Sequence, residues 1–273
     1  MATETTITKE EELEPAHARA VESIGNLRLN IWRGDQSGGE MVGYDVPVQE
    51  GMVVLDAVLW VQRHVDGDLA VRWNCKAAKC GSCSAEINGF PRLMCKTRLS
   101  AYAGQEISVR PMQAFPNIKD LVTDVSWNYE VNKQIPKFTP SALDAASREP
   151  WRMAQVDVNR SIEFRKCIEC FLCQDVCHVL RSHNRKDAFY GPRFMIRIAS
   201  LEMHPKDVED RRPLLRHEAG VGMCNITKCC TEVCPEHIHI TDNAIIPLKE
   251  RVADLYFDPL RWAGRKLTGK KQK

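Results

Sequence analysis

The sequence predicts an α+β fold in two unlike halves, and three observations carry that prediction. Leu27, Leu29 and Ile31 alternate with Arg28, Asn30 and Trp32, the period of a half-buried strand. Val54, Ala57, Val58 and Val61 recur at i, i+3, i+4 and i+7, which is one face of a helix. Beyond about Asp120 the alternation fades, and Ser161–Cys167 and Arg193–Met203 take helical spacing instead. The division predicts a β-rich domain over residues 1–121 and a helical domain over 122–273.

The remaining elements follow in order. Val46-Pro47-Val48 reads as a short strand, with the proline placing it at a sheet edge. Leu69 to Trp73 reads as another strand, leading straight into the first cysteines. Ser84–Asn88 and Phe90–Met94 flank Asn88-Gly89, a pair suited to a type I′ hairpin turn. Glu106–Met112 supplies a last strand, so strands surround a single helix. Pro136, Pro140 and Pro150 punctuate a connecting segment with short elements only. The cysteine spacing is the only internal repeat in view.

Cysteine is the compositional anomaly: there are twelve, eleven of them in tight local groups. Disulfides need an oxidising compartment, to which a signal peptide gives access. Residues 1–22 instead carry Glu10, Glu11 and Glu12 and no apolar core, and they lack the Arg-rich character of a transit peptide. Charges break the apolar runs well short of the ~20 residues that span a bilayer. The chain is therefore expected in the cytoplasm with reduced thiols that bind metal. A net charge of +2 gives no reason to expect nucleic acid as a partner.

Cys75, Cys80, Cys83 and Cys95 are spaced C-x4-C-x2-C-x11-C, and the first three match the plant-type [2Fe–2S] pattern. Gly81 and the small Ala77, Ala78 and Ser82 let backbone N–H groups approach cluster sulfurs. A zinc ribbon is the competing reading, but it shows two C-x2-C knuckles, and here only Cys80/Cys83 is one.

Cys167, Cys170, Cys173 and Cys177 form the bacterial ferredoxin run C-x2-C-x2-C-x3-C, whose fourth cysteine serves the other cluster of a pair. The complement lies downstream at Cys224, Cys230 and Cys234-Pro235. The exchange gives Cys167, Cys170, Cys173 and Cys234 to a [4Fe–4S] cluster and leaves Cys177, Cys224 and Cys230 for the other. Aligning the two runs puts Thr227 where a fourth thiolate belongs, so the second site is expected to hold [3Fe–4S]. Cys229 is left over. It reads as a buried structural thiol, with completion of a second [4Fe–4S] cluster as the competing role. His237 and His239 read as surface groups near a ligand, because thiolates already supply all three clusters. His178 is a stronger functional candidate, since it adjoins Cys177, with an ordinary structural role as the competing reading. No catalytic residue is expected.

On these residues the chain resembles the iron–sulfur subunit of succinate dehydrogenase/fumarate reductase, respiratory complex II, from about Leu27 to Ile246. The resemblance rests on Asn74–Cys83, Leu93–Leu99, Phe115–Asp124, Tyr190-Gly191-Pro192 and the two ferredoxin-like runs with their vacant position at Thr227. It implies a β-grasp plant-type ferredoxin domain followed by an all-α helical ferredoxin domain. It also implies a flavoprotein partner carrying FAD, a membrane anchor that reduces quinone, and a peripheral place on the cytoplasmic face of a bacterial membrane. One departure is visible. Cys177-His178-Val179-Leu180 lacks the expected proline and tryptophan, and Asn225 replaces a histidine found in some members. The departure brings in haem or another centre of the anchor as the electron acceptor. The basic tail from Arg261, with Trp262, reads as a solvated extension, with contact to anionic lipid as the sharper alternative.

Overall fold

The computed structural model describes residues 25–259. The acidic Glu10–Glu12 stretch and the basic tail with Trp262 lie outside the described residues.

A five-stranded sheet opens the chain, ordered β2-β1-β5-β3-β4. β1 (Gly25–Asp35) and β2 (Gly38–Val48) form a long antiparallel hairpin in which Leu27, Leu29, Ile31 and Val46 point inward. The short strand expected at Val46–Val48 is therefore the end of an eleven-residue one. Its first part escapes the alternation pattern because Gly38, Gly39 and Gly43 supply no side chains to alternate. Pro47 does lie on an edge strand. α1 (Val54–His64) packs on the sheet through Val54, Ala57, Val58 and Val61, all fully buried. Each buried valine contributes roughly 1.5–3 kcal/mol. The Val53 N–H donates to Asp56 Oδ2 at 3.2 Å and closes the helix start. β3 (Ser84–Ile87) and β4 (Phe90–Leu93) form the expected hairpin, with φ of 48° at Asn88 and 78° at Gly89 as a type I′ turn requires. β5 (Ile107–Arg110) runs parallel to β1 and antiparallel to β3.

The strand expected at Leu69–Trp73 is not formed. Its backbone is claimed instead by the hairpin of β6 (Asn117–Lys119) and β7 (Val122–Thr123). Ala70 N donates to Asp120 Oδ2 at 2.8 Å, and Leu121 N donates to the Ala70 carbonyl. Buried Asp120 also accepts from Arg33 Nε and Gly34 N, both at 3.0 Å. A side chain thus replaces a ladder.

The second half is helical: α2 (Ser126–Gln134), α3 (Ala142–Ala146), α4 (Gln155–Ile162), α5 (Leu172–Asp175) and α6 (His178–Arg181) precede the central α7 (Pro192–Glu202). Ser161–Cys167, expected as one helix, is the end of α4 followed by a 3₁₀ turn over Glu163–Lys166. α7 buries Phe194, Met195, Ile196, Ile198 and Ala199 on most of its circumference, as a core helix does. α8 (Arg212–His217), α9 (Cys229–Glu232), a π-helical turn (Ile240–Ile245) and α10 (Ile246–Tyr256) complete it. Among the described residues no helix is long and apolar enough to cross a membrane.

The halves share buried contacts. Cys170 and Leu172 belong to the core of the sheet half. Asp175 Oδ1 accepts from Ala114 N at 2.9 Å, and Arg181 pairs with Glu86 at 2.7 Å. Burial, reinforced by the neighbouring Asp175 carboxylate, raises the Glu86 carboxyl to about 7 despite Arg181. A carboxyl raised above its unfolded value binds its proton more tightly in the folded chain. Its contribution is therefore fully present below about pH 4.5 and lost as pH rises through 7. Glu86→Gln is expected to remove roughly 2–3 kcal/mol of that decline. Denaturant midpoints taken at acid and neutral pH read it out, and an unchanged pH slope in the variant would refute the assignment.

Candidate iron–sulfur sites

Each thiol group sits in a loop whose backbone turns left-handed at intervals. In the first loop Lys76, Ala78 and Gly81 have φ of 53°, 56° and 70°. This geometry turns N–H groups inward. Ala77 N and Lys79 N both lie 3.3 Å from Cys75 Sγ, and Ser82 N lies 3.5 Å from Cys80 Sγ. Cys95 follows β4, and its N–H reaches Cys83 Sγ at 3.5 Å. Burial pushes Cys80 up, but hydrogen bonds from Ser82 and Cys75 outweigh it and bring the thiol down to about 7. Cys83 is pushed by burial to about 12. The first four cysteines therefore share one small neighbourhood.

The two later loops are copies of one another. Glu169 and Phe171 are left-handed (56° and 61°) in the run from Cys167 to Cys173. Ile226 and Lys228 are left-handed (63° and 65°) in the run from Cys224 to Cys230. At this constant offset α5 matches α9, Cys170 matches Thr227, and Leu172 matches Cys229. The repeat hinted at by cysteine spacing is thus a repeat of backbone conformation. Thr227 is exposed, and its hydroxyl lies 3.2 Å from Cys229 Sγ. Cys229 is half-buried, also near the Val176 carbonyl at 3.7 Å.

The thiols fall into two sets. One cavity is lined by Cys167, Cys170, Cys173 and Cys234, together with Arg193. Burial pushes Cys170 to about 12 and Cys173 well above its ordinary value, each reinforced by the other thiols of this set. Cys177 and Cys230 are likewise pushed by burial to about 11 and about 12, with Cys224 and Cys229 acting on both. Cys173 also feels Cys230, so the two sets adjoin. Thiols this costly to ionise become ligands only when a cation stabilises the thiolate. Soft thiolates in such number suit iron–sulfur clusters. Among the described residues no three His, Cys, Asp or Glu converge on a point fit for a single ion. Thiolates gripping a cluster stand at its outer corners, farther apart than the ligands of one ion.

Sequence reasoning missed three supporting residues, Arg193, Gln174 and Lys249. Arg193, 6% exposed, pairs with Glu169 and acts electrostatically on Cys167. Gln174 is fully buried, donating to Asn128 Oδ1 and the Tyr190 carbonyl and accepting from Arg193 N. Gly191 is required beside it, because a Cβ there would lie 2.1 Å from Gln174 Oε1. Lys249 donates to the Cys224 carbonyl. The signals were weak because these side chains act across elements distant in sequence. His239 is exposed and pairs with Glu163 at 2.7 Å, and His237 is exposed in a left-handed turn. His178 is half-buried, 6.1 Å from the His183 ring.

The chain is similar to known iron–sulfur proteins. Residues 28–130 match a family described as "2Fe-2S iron-sulfur cluster binding domain", and 163–238 match "4Fe-4S dicluster domain". The fold is similar to a chain of the Mycobacterium smegmatis Sdh1 complex in the apo form, at 59% identity and a TM-score of 0.83, over 86% of this chain and 99% of that one. The fumarate reductase iron-sulfur subunit of Mycobacterium tuberculosis is 30% identical, over 81% of this chain and 87% of the relative. Its counterpart of the same name in Haemophilus influenzae is also 30% identical, over 71% of this chain and 80% of the relative. Fold and sites together define an iron–sulfur protein, with a 2Fe–2S domain ahead of a 4Fe–4S dicluster domain. The chain belongs to the iron–sulfur subunit family of succinate dehydrogenase and fumarate reductase, the electron-relay subunits of complex II-type enzymes.

Proposed function

We propose that the chain relays single electrons within a succinate:quinone oxidoreductase, from FAD on a flavoprotein partner to quinone at a membrane anchor. Cys75, Cys80, Cys83 and Cys95 would hold [2Fe–2S]. Cys167, Cys170, Cys173 and Cys234 would hold [4Fe–4S], and Cys177, Cys224 and Cys230 would hold [3Fe–4S]. When bound, the clusters would supply one-electron redox chemistry, so a flavin that accepts electrons in pairs can release them singly. The protein orients and insulates. Inward N–H groups at Cys75 and Cys80 and the Arg193 cation offset negative charge on the sulfurs.

One observation carries the reading: the three thiol sets are contiguous, with the Gly81 loop against Cys170 and Cys173 beside Cys230. The sheet topology, with β1 parallel to β5 and one helix packed across, favours a β-grasp first domain ending near residue 121. An all-α ferredoxin domain follows. Likeness to the Sdh1 chain favours succinate oxidation, and the name of the Mycobacterium tuberculosis relative favours fumarate reduction as the second reading. The chain is placed peripherally on the cytoplasmic face of a bacterial membrane, its anchor carrying quinone, haem or another centre.

Anaerobic purification in mild detergent tests this. The expected result is nine irons per chain with acid-labile sulfide, a co-purifying flavoprotein, and clusters reduced by succinate. Colourless protein holding zinc without sulfide would overturn it.

A further inference from the structure

We propose that Gly81 and Ser84 are positioning residues that form the bridge by which an electron crosses from the first thiolate site to the second. The inference rests on the cluster assignment above and adds the route. Gly81 lies between Cys80 and Cys83 with φ of +70°. A Cβ at this position would lie 2.6 Å from Cys170 Cα and 2.8 Å from Cys170 Cβ, so only glycine brings the two loops into contact. Ser84 follows Cys83 directly and is 6% exposed. Its hydroxyl lies 2.8 Å from the Gly81 carbonyl and 2.8 Å from the Cys170 carbonyl. The single hydroxyl proton is shared between the two carbonyls, a bifurcated contact that touches both loops.

The consequence is a route of covalent bonds from the Cys83 thiolate, along its backbone to the Ser84 side chain, interrupted by one hydrogen bond, then on to the Cys170 thiolate. Electronic coupling decays far more slowly through bonds than through a gap. Electron transfer here moves one electron, oxidising the donor site and reducing the acceptor by one each; no bond forms or breaks and no proton moves. The placement also differs from a purely structural tie. Other contacts between the halves, such as Lys96 Nζ to the Pro235 carbonyl at 2.8 Å and Lys79 to Glu236 at 3.1 Å, join neighbours of thiolates on the surface. Ser84 joins the backbone of one predicted ligand to that of another in the interior.

The test uses the full chain, purified anaerobically with its clusters, as wild type and as Ser84→Ala, Ser84→Thr and Gly81→Ala. Rapid photoreduction followed by freeze-quench electron paramagnetic resonance reads the rate at which the [2Fe–2S] signal passes to the second cluster. Redox titration and line shapes report whether each cluster is intact. Ser84→Ala is expected to slow the transfer several-fold with both potentials and line shapes unchanged, and Ser84→Thr, which keeps the hydroxyl, to restore it. Gly81→Ala is expected to weaken the magnetic interaction between the two clusters. Transfer at the wild-type rate in Ser84→Ala with both clusters intact would overturn the bridge alone. Wild-type protein without acid-labile sulfide would overturn the cluster assignment along with it.

Discussion

Thr227→Cys is expected to raise the iron content from nine to ten per chain and to abolish the [3Fe–4S] resonance of the oxidised protein. The expectation rests on backbone geometry as well as spacing. Ile226 and Lys228 flank Thr227 with the same left-handed turns that Glu169 and Phe171 place around Cys170. A thiol introduced between them meets the conformation that presents Cys170 to the four-thiol cavity. A threonine hydroxyl is a hard and weakly acidic donor, so under the proposed assignment the native site would leave one corner unligated. Thr227→Val is the matching control and is expected to leave the iron content unchanged. The rival for the open corner is Cys229. It matches Leu172, which packs into the core of the sheet half, and Cys229 itself contacts the Val176 carbonyl. Ten irons in the wild type, falling to nine in Cys229→Ser, would hand the corner to Cys229.

Arg211→Met is expected to cost about 3–5 kcal/mol, because it leaves a buried charge without its counterion. The Arg211 side chain is fully buried and the Asp207 side chain is 1% exposed, and they pair at 2.9 Å. The guanidinium also donates to the Pro136 carbonyl at 3.0 Å and the Lys137 carbonyl at 2.6 Å. Asp207 Oδ1 accepts from Thr139 N at 3.2 Å and from Glu209 N at 3.0 Å. The pair thus clips the proline-punctuated connector onto the helical half. Denaturant unfolding of the variant reads the loss. An Asp207→Asn/Arg211→Met double variant is expected to recover part of it, because no uncompensated charge then stays inside. Equal stability of the single variant and wild type would show that the clip is idle.

Elements with local causes were legible in the sequence. α1 follows from four apolar residues at helical spacing, and the β3–β4 hairpin from two residues that accept positive φ. The thiol groups were legible because cluster ligands must recur at loop-sized intervals. What escaped depends on partners far along the chain. Leu69–Trp73 has the composition of a strand, yet Asp120 takes its backbone from fifty residues away. The glycine-rich start of β2 has no side-chain pattern to read. Arg193 and Gln174 support the four-thiol cavity only because α7 folds back over the loop that carries the thiols. The matching turns around Thr227 extend the cysteine alignment into three dimensions, where spacing alone could not reach.

The left-handed turns at Phe171 and Ile226 have a consequence for maturation. Bulky side chains in that conformation cost on the order of 1–3 kcal/mol each, and the turns recur in all three thiol loops. Phe171 recovers part of this from burial beside Met112, Ala114 and Phe115, whereas exposed Ile226 does not, so in the Cys224–Cys230 loop the compensation would fall to metal ligation. Newly made polypeptide should therefore carry that loop sprung open, cleavable by proteases, until iron and sulfide are delivered. Loading would then be the last step of folding rather than an addition to a finished fold.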